Sequence, residues 1–169
     1  MSEDAGGDPL VLDEQLCFSL YAASRALTGL YRELLEELGL TYPQYLVMLV
    51  LWERGTLTVK ELGRALRLDS GTLSPLLRRL EGAGLLTRER SAVDERVVEV
   101  SATRGGRDLR ARAVDVPERV LGAVDLTSDQ AEVLRDALGR LTRSVEARTR
   151  GTWRAEVGPG PASEHSRRP

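Results

Sequence analysis

The chain is short of the residues on which most enzyme chemistry depends. Its 169 residues include one cysteine, Cys17, and one histidine, His165. A lone cysteine excludes an internal disulfide, and one histidine in a polar C-terminal stretch provides no zinc ligand set. Aromatic residues make up 4% of the chain, and only one is phenylalanine, so an aromatic cofactor cradle has little to be built from. No run of eighteen apolar residues occurs, which excludes an expected membrane-spanning helix. Met1 to Pro9 is acidic and small, without the basic and apolar regions of a secretory signal. No Gly-rich phosphate loop, Ser-His-Asp set or paired carboxylate constellation is visible. These absences lead us to expect a cytoplasmic protein without metal, cofactor or catalytic residues, and with no membrane partner.

What is present is an ordinary globular composition, 41% hydrophobic and 30% charged, at a length that suits one domain with a real core. The net charge of −2 hides a segregation. From Arg54 to Arg112 there are 13 Lys and Arg against 8 Asp and Glu, a net of +5; the remainder has 11 against 18, a net of −7. A basic centre between acidic arms is the footprint of a nucleic-acid reader, although solvated helix faces produce the same counts.

The patterning is mainly helical. Residues 1–11 and 151–169 read as a disordered lead and tail, and 12–150 as a single domain. A long helix is expected over about Asp13–Leu38, capped by Asp13 and stopped by Gly39. Thr41-Tyr42-Pro43-Gln44 has the form of a capping box and opens a second helix ending at Gly55. Thr58-Val59-Lys60-Glu61 is another box, opening a short helix that closes at a tight turn, Arg67-Leu68. Asp69 caps the next helix, whose Leu73, Leu76, Leu77 and Leu80 form one apolar stripe. After Gly84 the period changes, and Leu85–Ser91 and Arg96–Ser101 read as a hairpin around Ala92–Glu95. Helix returns over about 104–124, bent near Pro117. A third box at Thr127–Gln130 opens a last helix to about Arg150.

A short helix, a tight turn, a second helix and a hairpin make the winged helix-turn-helix plan, occupying about 56–103. The helix after Asp69 is then the recognition helix for double-stranded DNA. Its polar face offers Ser70, Thr72, Ser74, Arg78 and Arg79 to phosphates and base edges. Gly71 near its start permits close backbone approach. At the hairpin tip, Arg96 can enter the minor groove, with Asp94 holding its guanidinium.

The stretch TVKELGRALRLDSGTLSPLLRRLEGAGLLTRERSAVDERVVEVSAT, Thr58 to Thr103, resembles the DNA-binding core of the MarR family. The D-x-R wing of that family is matched by Asp94 and Arg96, with acidic Glu95 between them as a departure. The resemblance implies a mainly α fold with a small β-wing. It also implies that the terminal helices, about 13–38 and 104–150, form the dimerisation region of a homodimer reading a pseudo-palindromic operator.

Cys17 lies in the first turns of the first helix, where the helix dipole favours a thiolate while Asp13 and Glu14 oppose it. On residue type alone a lone cysteine on an apolar helix is a small buried hydrophobe. LCFSLYAASRAL around Cys17, together with LDSGTLSPLLRRLE, resembles the OhrR subgroup of organic-hydroperoxide sensors. That resemblance implies that Cys17 is the peroxide-reactive thiolate, with Tyr31 and Tyr42 donating hydrogen bonds to it. Tyr21 and Tyr45 read as packing. The implied protein is a repressor that leaves DNA when organic hydroperoxide oxidises Cys17, with capture by a low-molecular-weight thiol or overoxidation as the next step. Two other readings stay open: release by a small aromatic ligand with Cys17 structural, and a one-cysteine thiol peroxidase.

Overall fold

The computed structural model describes residues 10–156, with side chains to residue 148. Of the lead expected at 1–11 and the tail expected at 151–169, residues 1–9 and 157–169 lie outside the described residues, while 151–156 belong to a helix. The chain divides into two compact units, residues 1–120 and 121–169.

The first unit begins with a 3-10 turn, Leu12–Glu14, followed by helix α1, Leu16–Leu34. The single helix expected from Asp13 to Leu38 is therefore broken at both ends. Asp13 falls inside the 3-10 turn and caps nothing; Gln15 takes the cap position in an extended conformation. Its side-chain amide donates back to the Val11 carbonyl at 3.1 Å. At the other end Leu35 turns inward to full burial. A second 3-10 turn, Glu36–Leu38, then closes on Gly39 at φ 66°, a conformation glycine adopts without steric cost.

Helix α2 spans Tyr42–Arg54. The Thr41 N–H donates to Gln44 Oε1 at 2.8 Å, and the Thr41 hydroxyl at 3.0 Å, which satisfies a donor at the helix start. Strand β1, Leu57–Thr58, leads into α3, Val59–Leu66. Here the box is complete: Thr58 N donates to Glu61 Oε2 at 2.9 Å, and Glu61 N to Thr58 Oγ1 at 3.1 Å. The tight turn after α3 places Arg67 in the left-handed region at φ 56°. A Cβ at Gly63 would lie 3.0 Å from the Leu68 carbonyl oxygen, so the missing side chain is what lets this turn close on its helix. Helix α4, Ser70–Gly82, follows.

Strands β2, Leu86–Arg90, and β3, Val98–Ala102, form the hairpin, and β1 adds a third antiparallel strand in the order β1-β3-β2. The register pairs Leu86 with Ala102, Arg88 with Val100 and Leu57 with Val100. β1 was not foreseen, because two residues carry no alternation and Thr58 already serves as a helix cap. Helix α5, Arg104–Arg112, and helix α6, Val116–Ala123, replace the one bent helix expected over 104–124. Ala113 and Val116 both turn into the core, and Pro117 sits in the first turn of α6. That is where proline starts a helix rather than bending one.

The core joins Leu35, Leu40, Tyr45, Val47, Met48 and Leu51 to Leu62, Leu73, Leu77 and Leu80, and to Leu86, Val100 and Leu109. Leu76, the fourth member of the expected stripe, is half-buried against it. α5 is fastened by polar contacts. Thr103 Oγ1 donates to the Gly84 carbonyl at 2.6 Å, and Trp52 Nε1 donates to the Gly106 carbonyl at 2.8 Å. A Cβ at Gly106 would stand 2.0 Å from the Leu85 carbonyl oxygen, so only glycine fits there.

In the second unit, α7 runs Ser128–Glu156, past the end expected near Arg150. Its capping box is formed, with Thr127 N donating to Gln130 Oε1 at 2.9 Å and Gln130 N to Thr127 Oγ1 at 3.2 Å. Among the described residues no helix is long and apolar enough to cross a membrane.

Candidate functional site

The recognition helix starts from a tightly held cap. Asp69 Oδ1 accepts from Thr72 N at 2.8 Å, and Asp69 Oδ2 from the Thr72 hydroxyl at 3.0 Å. These bonds hold the Asp69 carboxyl below its ordinary pKa. A Cβ at Gly71 would lie 3.1 Å from Asp69 Oδ1, so Gly71 makes room for the cap as well as for an approaching backbone. Pro75 lies inside the helix and removes the N–H that would otherwise reach the Gly71 carbonyl.

On the outward face, Ser70, Thr72, Arg78 and Arg79 are exposed and Ser74 is half-exposed. The two hydroxyls expected to donate to DNA are committed elsewhere: Thr72 to Asp69, and Ser74 to the Ser70 carbonyl at 2.7 Å. Their oxygens keep lone pairs and can accept from base amino groups. Arg78 and Arg79 have no ion pair among the described residues.

The wing tip differs from expectation in one respect. Asp94 does not hold the Arg96 guanidinium. Its Oδ1 accepts from the Arg96 backbone N–H at 3.0 Å, and its carbonyl accepts from Val97 N at 2.9 Å. Asp94 therefore shapes the turn, as short acidic side chains do, and the Arg96 side chain is exposed at the tip. Arg90 Nη1 donates to the Glu95 carbonyl at 3.2 Å and braces the loop from the strand.

The thiol region is arranged otherwise. Cys17 is exposed on α1, a helix with no buried residue, so the buried-hydrophobe reading does not hold within one chain. Tyr31 and Tyr42 are brought together, with ring centroids 4.2 Å apart and stacked, and Tyr45 lies 6.0 Å from Tyr31. Burial pushes all three phenols above their ordinary pKa, with the neighbouring phenols adding to the shift at Tyr31 and Tyr45. They are therefore hydroxyl donors throughout the neutral range. The structure does not bring them to Cys17. Cys17 and Tyr31 are fourteen positions apart on one continuous helix, about 21 Å at 1.5 Å per residue. Tyr45 packs as expected, at 2% exposure, but Tyr21 is exposed and lies under Arg25, 5.7 Å from its guanidinium carbon. An open depression at the α1–α2 corner is lined by Arg32, Glu33, Glu36, Gly39, Leu40 and Thr41. It has no aromatic wall to favour an aromatic ligand. Among the described residues no group of three potential ligands gathers to hold a metal.

A capped recognition helix beside a three-stranded wing, with Arg78, Arg79 and Arg96 free of ion pairs among the described residues, defines a winged helix-turn-helix DNA-binding regulator. The MarR family profile matches residues 40–98. The chain is 49% identical over 138 residues to the organic hydroperoxide resistance transcriptional regulator of Bacillus subtilis, covering 82% of this chain and 94% of that protein. It is also similar to the reduced AbfR bound to DNA, at TM-score 0.67 and 34% identity, covering 79% of this chain and 93% of the other. The overoxidised AbfR bound to DNA matches at TM-score 0.64 and 34% identity, covering 79% and 94%. The chain belongs to the MarR family of transcriptional regulators; it is a regulator and not an enzyme.

Proposed function

We propose that the chain is a cytoplasmic, homodimeric repressor that holds a pseudo-palindromic operator while Cys17 is reduced and releases it when an organic hydroperoxide oxidises that thiol. Ser70, Thr72, Ser74, Arg78 and Arg79 face the major groove in this reading, and Arg96 the minor groove, from a wing shaped by Asp94.

One observation carries the redox part. The only cysteine is exposed at the start of α1, while the two protonated, stacked phenols lie about 21 Å further along the same chain. Phenol-to-sulfur hydrogen bonds, which favour the thiolate, then need Tyr31 and Tyr42 of a second copy. Two α1 helices crossing antiparallel satisfy this at both ends at once. The uncovered apolar residues of α1, with Leu16 63% and Leu27 39% exposed, are suited to that partner. A relative named for organic hydroperoxide resistance supports the same reading.

In the chemical step the thiolate sulfur attacks the terminal oxygen of the hydroperoxide. The O–O bond breaks, the terminal oxygen stays on sulfur with its hydrogen as a sulfenic acid, and the departing alkoxide takes a proton from water to leave as the alcohol. A low-molecular-weight thiol then condenses with it, forming a mixed disulfide and water. With no second cysteine in the chain, a resolving bridge within a protomer is excluded. The bulky adduct displaces the phenol pair, and with it the α1–α2 corner on which the reading lobe is built.

The test is fluorescence anisotropy on DNA from the protein's own upstream region, with one equivalent of organic hydroperoxide followed by dithiothreitol. Loss and recovery of binding are expected, and Cys17→Ser abolishes the response. A Cys17→Ser protein that still leaves DNA on oxidation rules the reading out. Mixed dimers test the crossing: one protomer Cys17→Ser and the other Tyr31→Phe/Tyr42→Phe keeps one intact site only if thiol and phenols come from different chains.

A further inference from the structure

Arg88 lies in the wing strand amid Arg90 and Arg96, and by charge alone it would be counted among the DNA-facing cations. The register places it elsewhere. Leu86, Arg88 and Arg90 share one face of β2, and Leu86 on that face is 1% exposed. Arg88 therefore points along the inner side of the sheet towards the C-terminal end of α4. There its Nε donates to Glu81 Oε2 at 3.0 Å, its Nη2 to the same oxygen at 2.5 Å, and its backbone N–H to Glu81 Oε1 at 3.2 Å. Both carboxylate oxygens are used, both side chains are about two-thirds covered, and the Glu81 carboxyl is held below its ordinary pKa by Arg88. The other three ion pairs among the described residues are longer, at 3.7 to 3.9 Å, and more exposed.

We infer that Glu81 and Arg88 are positioning residues that fix the wing relative to the recognition helix, so that one lobe reads a major and a minor groove in a single register. Neither residue touches DNA. A three-bond link between the last turn of α4 and the middle of β2 leaves the wing no rotation about its base. An isolated point-charge contact would permit such rotation. A wing free to swing by about five degrees moves Arg96, eight residues further along the chain, by about one ångström. The inference rests on the assignment of Arg96 to the minor groove.

The test removes the link without changing net charge: Glu81→Gln/Arg88→Gln, with Arg96→Ala, the triple variant, and Arg88→Lys as a milder break. Operator affinity is measured by anisotropy, and hydroxyl-radical cleavage reports minor-groove protection at the operator flanks. Thermal melting and circular dichroism select the variants that fold, and Arg88→Lys serves if the double variant does not. The charge-neutral variant and Arg96→Ala are each expected to lose about tenfold in affinity. The triple variant should lose little more, because an unplaced wing has already lost its contact. Flank protection should vanish while methylation protection of guanine N7 beneath α4 persists. Losses that multiply, or flank protection that survives without the link, overturn the inference. If Arg96→Ala binds like wild type while flank protection still depends on the link, the fault lies with Arg96 and the link stands.

Discussion

Between Leu40 and Val100 the chain buries leucines, valines, a methionine and a tyrosine from three helices and the sheet, several of them completely; along the whole of α1 it buries none. The two regions are close in sequence and α1 is the more apolar, with 12 hydrophobic residues of 19 against 28 of 61, so the difference is one of partnership. The reading lobe closes on itself within one chain. Its helices α3 and α4 start at satisfied caps, and its strands are paired. The helix with Cys17 displays Leu16, Tyr21 and Leu27 to solvent, the surface that the proposed second copy would cover. The reading surface is thus complete within one lobe, whereas the thiol and the phenols stand about 21 Å apart within one chain.

The sharpest way to break this comparison is to make the same substitution in both regions. Leu77→Ala, at 1% exposure, should cost about 3 kcal/mol of unfolding free energy, seen as a lower urea midpoint at unchanged slope. Leu16→Ala should alter the urea stability of the lobe by less than about 0.5 kcal/mol. Its effect should appear in self-association, measured by sedimentation at falling protein concentration. Next in size, Trp52→Phe removes the donor to the Gly106 carbonyl and should cost about 1 kcal/mol, with lobe secondary structure retained by circular dichroism.

The smallest effect is one of pH. Tyr31, Tyr42 and Tyr45 have folded pKa values above the ordinary 10.0 because burial disfavours the phenolate. The folded state therefore keeps protons that the unfolded chain gives up. This stabilisation is fully present below about pH 10 and is lost as pH rises through the folded values. Phenolate absorbance should show a group of tyrosines titrating above free tyrosine, and Tyr31→Phe with Tyr42→Phe should remove part of that group.

The lobe was legible in the sequence because its signals are local. Capping boxes at Thr41 and Thr58, the Asp69 cap and the stripe Leu73, Leu77, Leu80 each lie within one or two turns. The breaks at Leu35 and Ala113 were not legible, since both residues leave their helices to fill a core assembled from distant segments. Nor was the part played by Asp94: its spacing to Arg96 fits a side-chain ion pair as well as the backbone turn it makes. Arg88 could have been separated from the DNA-facing arginines by counting in twos from Leu86, but only once Leu86 is known to point inward. The distance between Cys17 and Tyr31 needed only their numbers and a helical rise, and it separates two residues that the resemblance alone would place together.

Gly106 has a bearing on how such a protein can change over evolutionary time. With the Leu85 carbonyl oxygen 2.0 Å from where a Cβ would stand, the joint between the sheet and α5 admits no side chain of any size. Drift at this position is closed to every lineage that keeps the joint. Divergence in how the sheet meets α5 has to accumulate at other positions, where a substitution alters an angle instead of abolishing a contact.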